Sequence, residues 1–169
     1  MMYPIDRQKA DPGKLAACET WPIFHRVLTA SPLAIRETLC DIRNRFTKST
    51  DPDTLGRLEL VLAEVLNNVA EHAVPRHGGL AVKDSPTIHL SIVRTERGFV
   101  CAVTDDGISL PDKCLQPRNL PGFEDSELSE SGFGWFLIQD LTQTLCYYRE
   151  EQRNCLAFSV PLARAVRSS

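Results

Sequence analysis

The sequence predicts an α+β fold, a two-layer sandwich with helices on one face of a mixed, mostly antiparallel sheet. One change of period and the order of the elements carry that reading. Apolar residues recur every 3.6 positions across residues 32–74, then every 2 positions across Thr87–Thr95, ahead of a largely apolar Gly98–Thr104. The resulting order, β-α-α-β-β-loop-α-β-β, has no internal repeat and stacks its helices on one side of the sheet.

Ile23 to Thr29 is short and partly β-branched, and reads as the first strand. Ser31 and Pro32 then give a cap followed by a proline at the first helical position, and Leu33, Ile35, Leu39, Ile42 and Phe46 keep helical period to about residue 48. Asp51-Pro52 repeats the signal and opens a second helix ending near Val74-Pro75. Arg76 to Pro86 is a loop. Thr87–Thr95 and Gly98–Thr104 form a hairpin across Glu96-Arg97-Gly98. After Asp105-Asp106-Gly107, about twenty residues punctuated by Pro111, Pro117, Pro121 and Gly122 form a long loop. Gly132-Phe133-Gly134 precedes an apolar helix, Trp135 to about Leu141, and strands near Leu145–Arg149 and Asn154–Val160 close the domain. Residues 1–22 read as a tail or arm, 23–162 as one domain, and 163–169 as a C-terminal tail.

Composition narrows the function. The chain has 169 residues, 43% of them hydrophobic and 24% charged, enough for one core without staples. Its net charge of −3 and dispersed basic residues argue against nucleic acid as the main ligand. No stretch approaches the roughly 18 apolar residues of a membrane span, and the N-terminus lacks an apolar signal core, so the expected location is the cytoplasm. Cys18, Cys40, Cys101, Cys114, Cys146 and Cys155 show no zinc-type spacing and read mostly as reduced, semi-buried small apolar residues.

The most informative feature is the run LVLAEVLNNVAEHA. Glu64, Asn68 and His72 are four residues apart, and each such step advances about 40° around a helix, so they share a ridge. That ridge borders the apolar side formed by Leu58, Val61, Leu62, Val65, Leu66, Val69 and Ala73, with Asn68 and His72 drifting into it. A polar helix edge is usually only solvated surface. Here it keeps company with a strand-end Asp-x-Gly and a Gly-x-Gly at a helix entrance, parts that a nucleotide site requires. An amide oxygen such as that of Asn68 suits Mg²⁺, a hard cation that takes its remaining ligands from phosphate and water. One turn away, Glu64 can deprotonate a hydroxyl attacking a γ-phosphate. Asp105 can accept from an adenine amino group, and Gly107 lets the backbone come close to the base. Backbone N–H groups around Gly132, Phe133 and Gly134 can meet phosphate oxygens. Rossmann and P-loop signatures are absent. His72 reads as a packing histidine at the helix end.

In this order the segments resemble a known family. Glu64 to Ala73 resembles the N-box of the GHKL (Bergerat-fold) ATPases, Asp105-Asp106-Gly107 the first glycine box, and Gly132 to Ile138 the second. From Phe24 to Val160 the chain looks most like the anti-sigma factor serine/threonine-protein kinases, which have a histidine-kinase-like ATPase domain. That resemblance implies a protein that uses Mg-ATP to phosphorylate a serine on a STAS-type anti-anti-sigma protein, sequesters a sigma factor, and forms a homodimer. It implies Glu64 as catalytic base, Asn68 as Mg²⁺ ligand, Asp105 as adenine contact, and Gly107, Gly132, Phe133 and Gly134 as nucleotide-loop residues. Three departures stand out: Ser109 replaces the second glycine of the first box, Phe133 and Trp135 are bulky, and the long loop carries no readable signature. Two alternatives stand beside this reading. One is a nucleotide-binding regulatory module with little or no kinase activity, the other a phosphotransfer domain of two-component signalling.

Overall fold

The computed structural model describes residues 23–72, 86–109 and 130–163, without the side chains of His72 and residues 130–133. The remaining residues, including both expected tails, the loop at 76–85 and most of the long loop, lie outside that description. Strands β1 (Ile23–Thr29), β2 (Thr87–Thr95), β3 (Gly98–Asp105), β4 (Thr144–Glu150) and β5 (Arg153–Pro161) pair antiparallel throughout, in the order β1-β2-β3-β5-β4. Helices α1 (Pro32–Phe46), α2 (Pro52–His72) and α3 (Glu130–Leu141) complete the described elements. The result is the expected α+β sandwich.

Local chemistry starts both long helices as the sequence suggested. Ser31 accepts from the Ala34 N–H at 3.3 Å with Pro32 at the first position of α1. Asp51 accepts from the Thr54 N–H at 2.8 Å ahead of Pro52, and these hydrogen bonds from Thr54 hold its carboxyl below the usual range. Helix α1 ends two residues earlier than its periodicity suggests. There the Thr47 hydroxyl and N–H both turn back to the Arg43 carbonyl. Gly98, at φ 135°, turns β2 into β3, and a Cβ there would strike the Val160 carbonyl.

The core lies between α2 and the inner face of the sheet. From α2 come Leu55, Leu58, Val61, Leu62, Val65 and Leu66; the sheet supplies Ile88, Leu90, Ile92, Phe99, Cys101, Val103, Leu156, Phe158 and Val160. Phe46 of α1 meets Phe99 edge to face, with ring centroids 5.0 Å apart. Alternation along a strand sends every second side chain inward, and on β3 the series Phe99, Cys101, Val103 ends with Asp105. Its cross-strand partner on β5 is Asn154. The register that builds the core therefore delivers two polar side chains to its end.

The cysteines are less uniform than expected. All four described are free thiols, but only Cys101 is buried, with its pKa raised by desolvation; Cys155 is intermediate, and Cys40 and Cys146 are exposed.

Replacing Asp51 with Ala is expected to cost about 1 kcal/mol at neutral pH, the usual value of a lost N-cap. Because the folded carboxyl is held low, that contribution is present above its unfolded pKa and disappears as pH falls through its folded pKa. Thermal unfolding of the two proteins across pH 2 to 7, with the curves converging at the acid end, checks this.

Candidate nucleotide site

At one end of the core the apolar stripe of α2 gives way to polar atoms. Asn68 is only 6% exposed, whereas Glu64 is half-buried. The Asn68 Nδ2 has no hydrogen-bond partner among the described residues. A buried donor left in this state costs roughly 1–3 kcal/mol, so the position calls for a partner. Half a rotation of the carboxamide exchanges nitrogen for oxygen without steric cost, and the same place then offers a cation ligand.

Helix α3 approaches this ridge through Gly134. A Cβ built there would collide with Glu64 Oε2, would lie 3.3 Å from Glu64 Cδ, and would come within 3.9 Å of Asn68 Nδ2. Absence of a side chain thus lets the backbone of α3 cover the Glu64 carboxylate. One expectation is corrected here: Gly132-Phe133-Gly134 does not precede the helix but lies inside its first two turns, since α3 starts at Glu130. Only N–H groups of a first turn lack internal acceptors, which favours residues 130–133 over Gly134 for contact with an anion.

Across the pocket, Asp105 is 7% exposed. Its Oδ1 accepts from the Gly107 N–H at 2.8 Å and from Asn154 Nδ2 at 2.9 Å. Burial raises its pKa above the ordinary 3.8, while the bonds from Asn154 and Gly107 pull it down. Asn154 is held in turn: Nδ2 also donates to the Ile108 carbonyl, and Oδ1 accepts from the Tyr147 hydroxyl at 2.9 Å and from Arg149 Nη1 at 2.6 Å. Arg149 also donates to the Gly107 carbonyl at 3.0 Å, and Ser109 lies 3.1 Å from the Tyr147 hydroxyl. Asp106 points elsewhere, accepting from the Thr87 N–H where β2 begins. The first glycine box is therefore fixed by three residues of the last hairpin, Tyr147, Arg149 and Asn154, which sequence reading did not single out. The only signal available was Asn154 at an inward position of an otherwise apolar strand.

Val65, Asn68, Val69, Val103, Asp105, Trp135, Tyr147, Asn154 and Leu156 line one small cavity. Glu64, Asn68 and Gly134 thus meet on one side and Asp105 with Gly107 on the other. The side chains of His72 and Phe133 lie outside the described residues. No cluster of three or more His, Cys, Asp or Glu suited to a metal occurs among the described residues. An ion at Asn68 would draw most of its ligands from phosphate and water.

Helices on one face of an antiparallel sheet, with Asn68 and Asp105 brought to one small cavity between α2 and the strand ends, fit a domain of the nucleotide-binding type. The model of the histidine kinase-like ATPase domain matches residues 28–160, and the chain belongs to that family. ATP is the ligand the family implies, and Asn68, Asp105 and the first-turn N–H groups of α3 are suited to hold it. No curated protein sequence matches significantly. Among solved structures, the RsbU and RsbW domains of Rv1364c from Mycobacterium tuberculosis align with a TM-score of 0.54 at 15% identity, covering 87% of this chain and 34% of that one. The histidine kinase domain of the Erythrobacter litoralis EL346 blue-light activated histidine kinase aligns at 0.46 and 17% identity, covering 77% and 60%. The chain spans about a third of the first of these structures. No described helix is long and apolar enough to cross a membrane.

Two substitutions separate the site from the fold. Gly134→Ala should leave stability unchanged or raise it by up to about 1 kcal/mol through helix propensity, because only the mobile end of Glu64 must yield. Any turnover that depends on the Glu64 carboxylate, the base expected from the sequence, should nevertheless fall at least about tenfold, since that carboxylate must shift. Parallel melting curves and turnover assays check both halves.

Asp105→Asn removes a charge whose burial is unfavourable. With the folded pKa raised, the wild-type carboxyl costs nothing while protonated, and its cost appears as pH rises from the unfolded to the folded pKa. The stability of Asp105→Asn relative to wild type should therefore increase across that window and stay level above it. Urea unfolding at a series of pH values measures the difference.

Proposed function

We propose that this protein is an ATP-binding regulatory kinase that transfers the γ-phosphate of Mg-ATP to a serine of a STAS-type anti-anti-sigma protein, and that sequesters a sigma factor when the antagonist is phosphorylated. The observation that carries the reading is the meeting of Glu64 and Asn68 with Gly134, opposite Asp105, within a histidine kinase-like ATPase domain. Bound Mg-ATP supplies the phosphoryl group. Glu64 takes the proton from the serine hydroxyl as its oxygen bonds to phosphorus, and ADP leaves. Asn68 would hold the metal and Asp105 would accept from the adenine amino group; Gly107, Gly132 and Phe133 would bring the backbone to the nucleotide, with Gly134 admitting the Glu64 carboxylate beneath them. The partners and homodimer formation come from the sequence resemblance. A solved protein of the same fold carries RsbU and RsbW domains in one chain, in keeping with a regulatory role.

A second reading, a nucleotide-binding module of the same fold with little kinase activity, is favoured by one specific observation. The pocket beside Asp105 retains only about 10 Å³ with Trp135 in place. Incubation with Mg-ATP and the STAS proteins of the same organism separates the two. The kinase reading expects serine phosphorylation that Glu64→Ala reduces by at least about a hundredfold, within the usual range for losing a general base. It also expects loss of Mg²⁺-dependent ATP binding in Asn68→Ala. Absence of phosphoserine, with ATP still raising the melting temperature, supports the binding module instead.

A further inference from the structure

We infer that the Trp135 indole is a built-in competitor for the nucleotide base, holding the base pocket shut until a nucleotide displaces it. This rests on the reading of Asn68 and Asp105 as nucleotide contacts. Trp135 is 2% exposed and is the largest of the fully buried side chains. It shares its cavity with Asn68 and Asp105, between aliphatic side chains of α2 (Val65, Val69) and of the sheet (Val103, Leu156). Aliphatic walls above and below, with a carboxylate at the rim, suit a flat bicyclic ring carrying a donor edge. An indole meets the first requirement as well as a purine does. The cavity that the described residues leave beside it holds about 10 Å³, against the roughly 300 Å³ or more of a working small-molecule pocket.

The closed arrangement leaves its polar groups poorly served. Trp135 Nε1 and Asn68 Nδ2 are both buried without a partner among the described residues. Asp105 uses Oδ1 for Gly107 and Asn154, while Oδ2 accepts no hydrogen bond among the described residues. A purine amino group would supply the donor that the indole does not bring to that oxygen. Ring displacement then acts as a tax on affinity, equal to the fraction of molecules in which the pocket is open.

The chain has two tryptophans, so Trp21→Phe leaves Trp135 as the single indole reporter. In that protein, saturating ATP is expected to shift Trp135 emission to the red and to increase its quenching by acrylamide. Calorimetric titration should show Trp135→Leu binding ATP about tenfold or more tighter than wild type, with Trp135→Phe between them. ATP binding with unchanged Trp135 emission and with affinities within about twofold of one another overturns the plug alone. Failure of ATP to bind any of these proteins overturns the nucleotide reading, and the plug falls with it. If Trp135→Leu does not fold, the emission and quenching of the single-tryptophan protein still decide.

Discussion

The packing of α2 on the inner face of the sheet is the constraint from which the rest follows. One helix supplies six residues of the core and, along the neighbouring ridge, the two side chains with the clearest chemical potential, Glu64 and Asn68. A helix buried that firmly cannot rotate to relieve a polar group, because turning Asn68 toward water would also expose Val65 or Leu62. The amide is therefore held in an apolar sector at a cost that core packing offsets. An unsatisfied buried donor persists where the surroundings determine its position.

The sheet imposes a matching constraint from below. Alternation and the β3–β5 register place Asp105 and Asn154 opposite each other at the inward end of their strands, so a one-residue slip would lose the pair and the core together. Their mutual hydrogen bond, with those from Gly107, Tyr147 and Arg149, offsets part of the cost of desolvating a carboxylate. Fold and site are the same packing solution, continued past the point where apolar side chains run out.

Much of this was legible in the chain. Cap-and-proline pairs at Ser31-Pro32 and Asp51-Pro52 marked two helix starts, because these signals act within one turn. The strict alternation of β2 and the inward drift of Asn68 could be read for the same reason. Other features were not legible. Gly132 and Gly134 looked like a loop before a helix, since glycine disfavours helices in isolation; contact with α2 selects a helix there and uses the missing side chain to admit the Glu64 carboxylate. The expectation of mostly semi-buried cysteines failed at Cys40 and Cys146, which face solvent.

By itself the sequence determined the kinds of element, their order, and which residue types could serve a nucleotide, because hydrophobic period and end signals are local properties. It could not show that Tyr147, Arg149 and Asn154 orient the first glycine box, some 40 residues or more away along the chain. Nor could it show that Trp135, an apparent member of an apolar helix, fills the space beside Asp105. Those relations depend on strand register and on how closely α3 approaches α2. Both are set by long-range packing, and no window of the sequence contains the two partners at once.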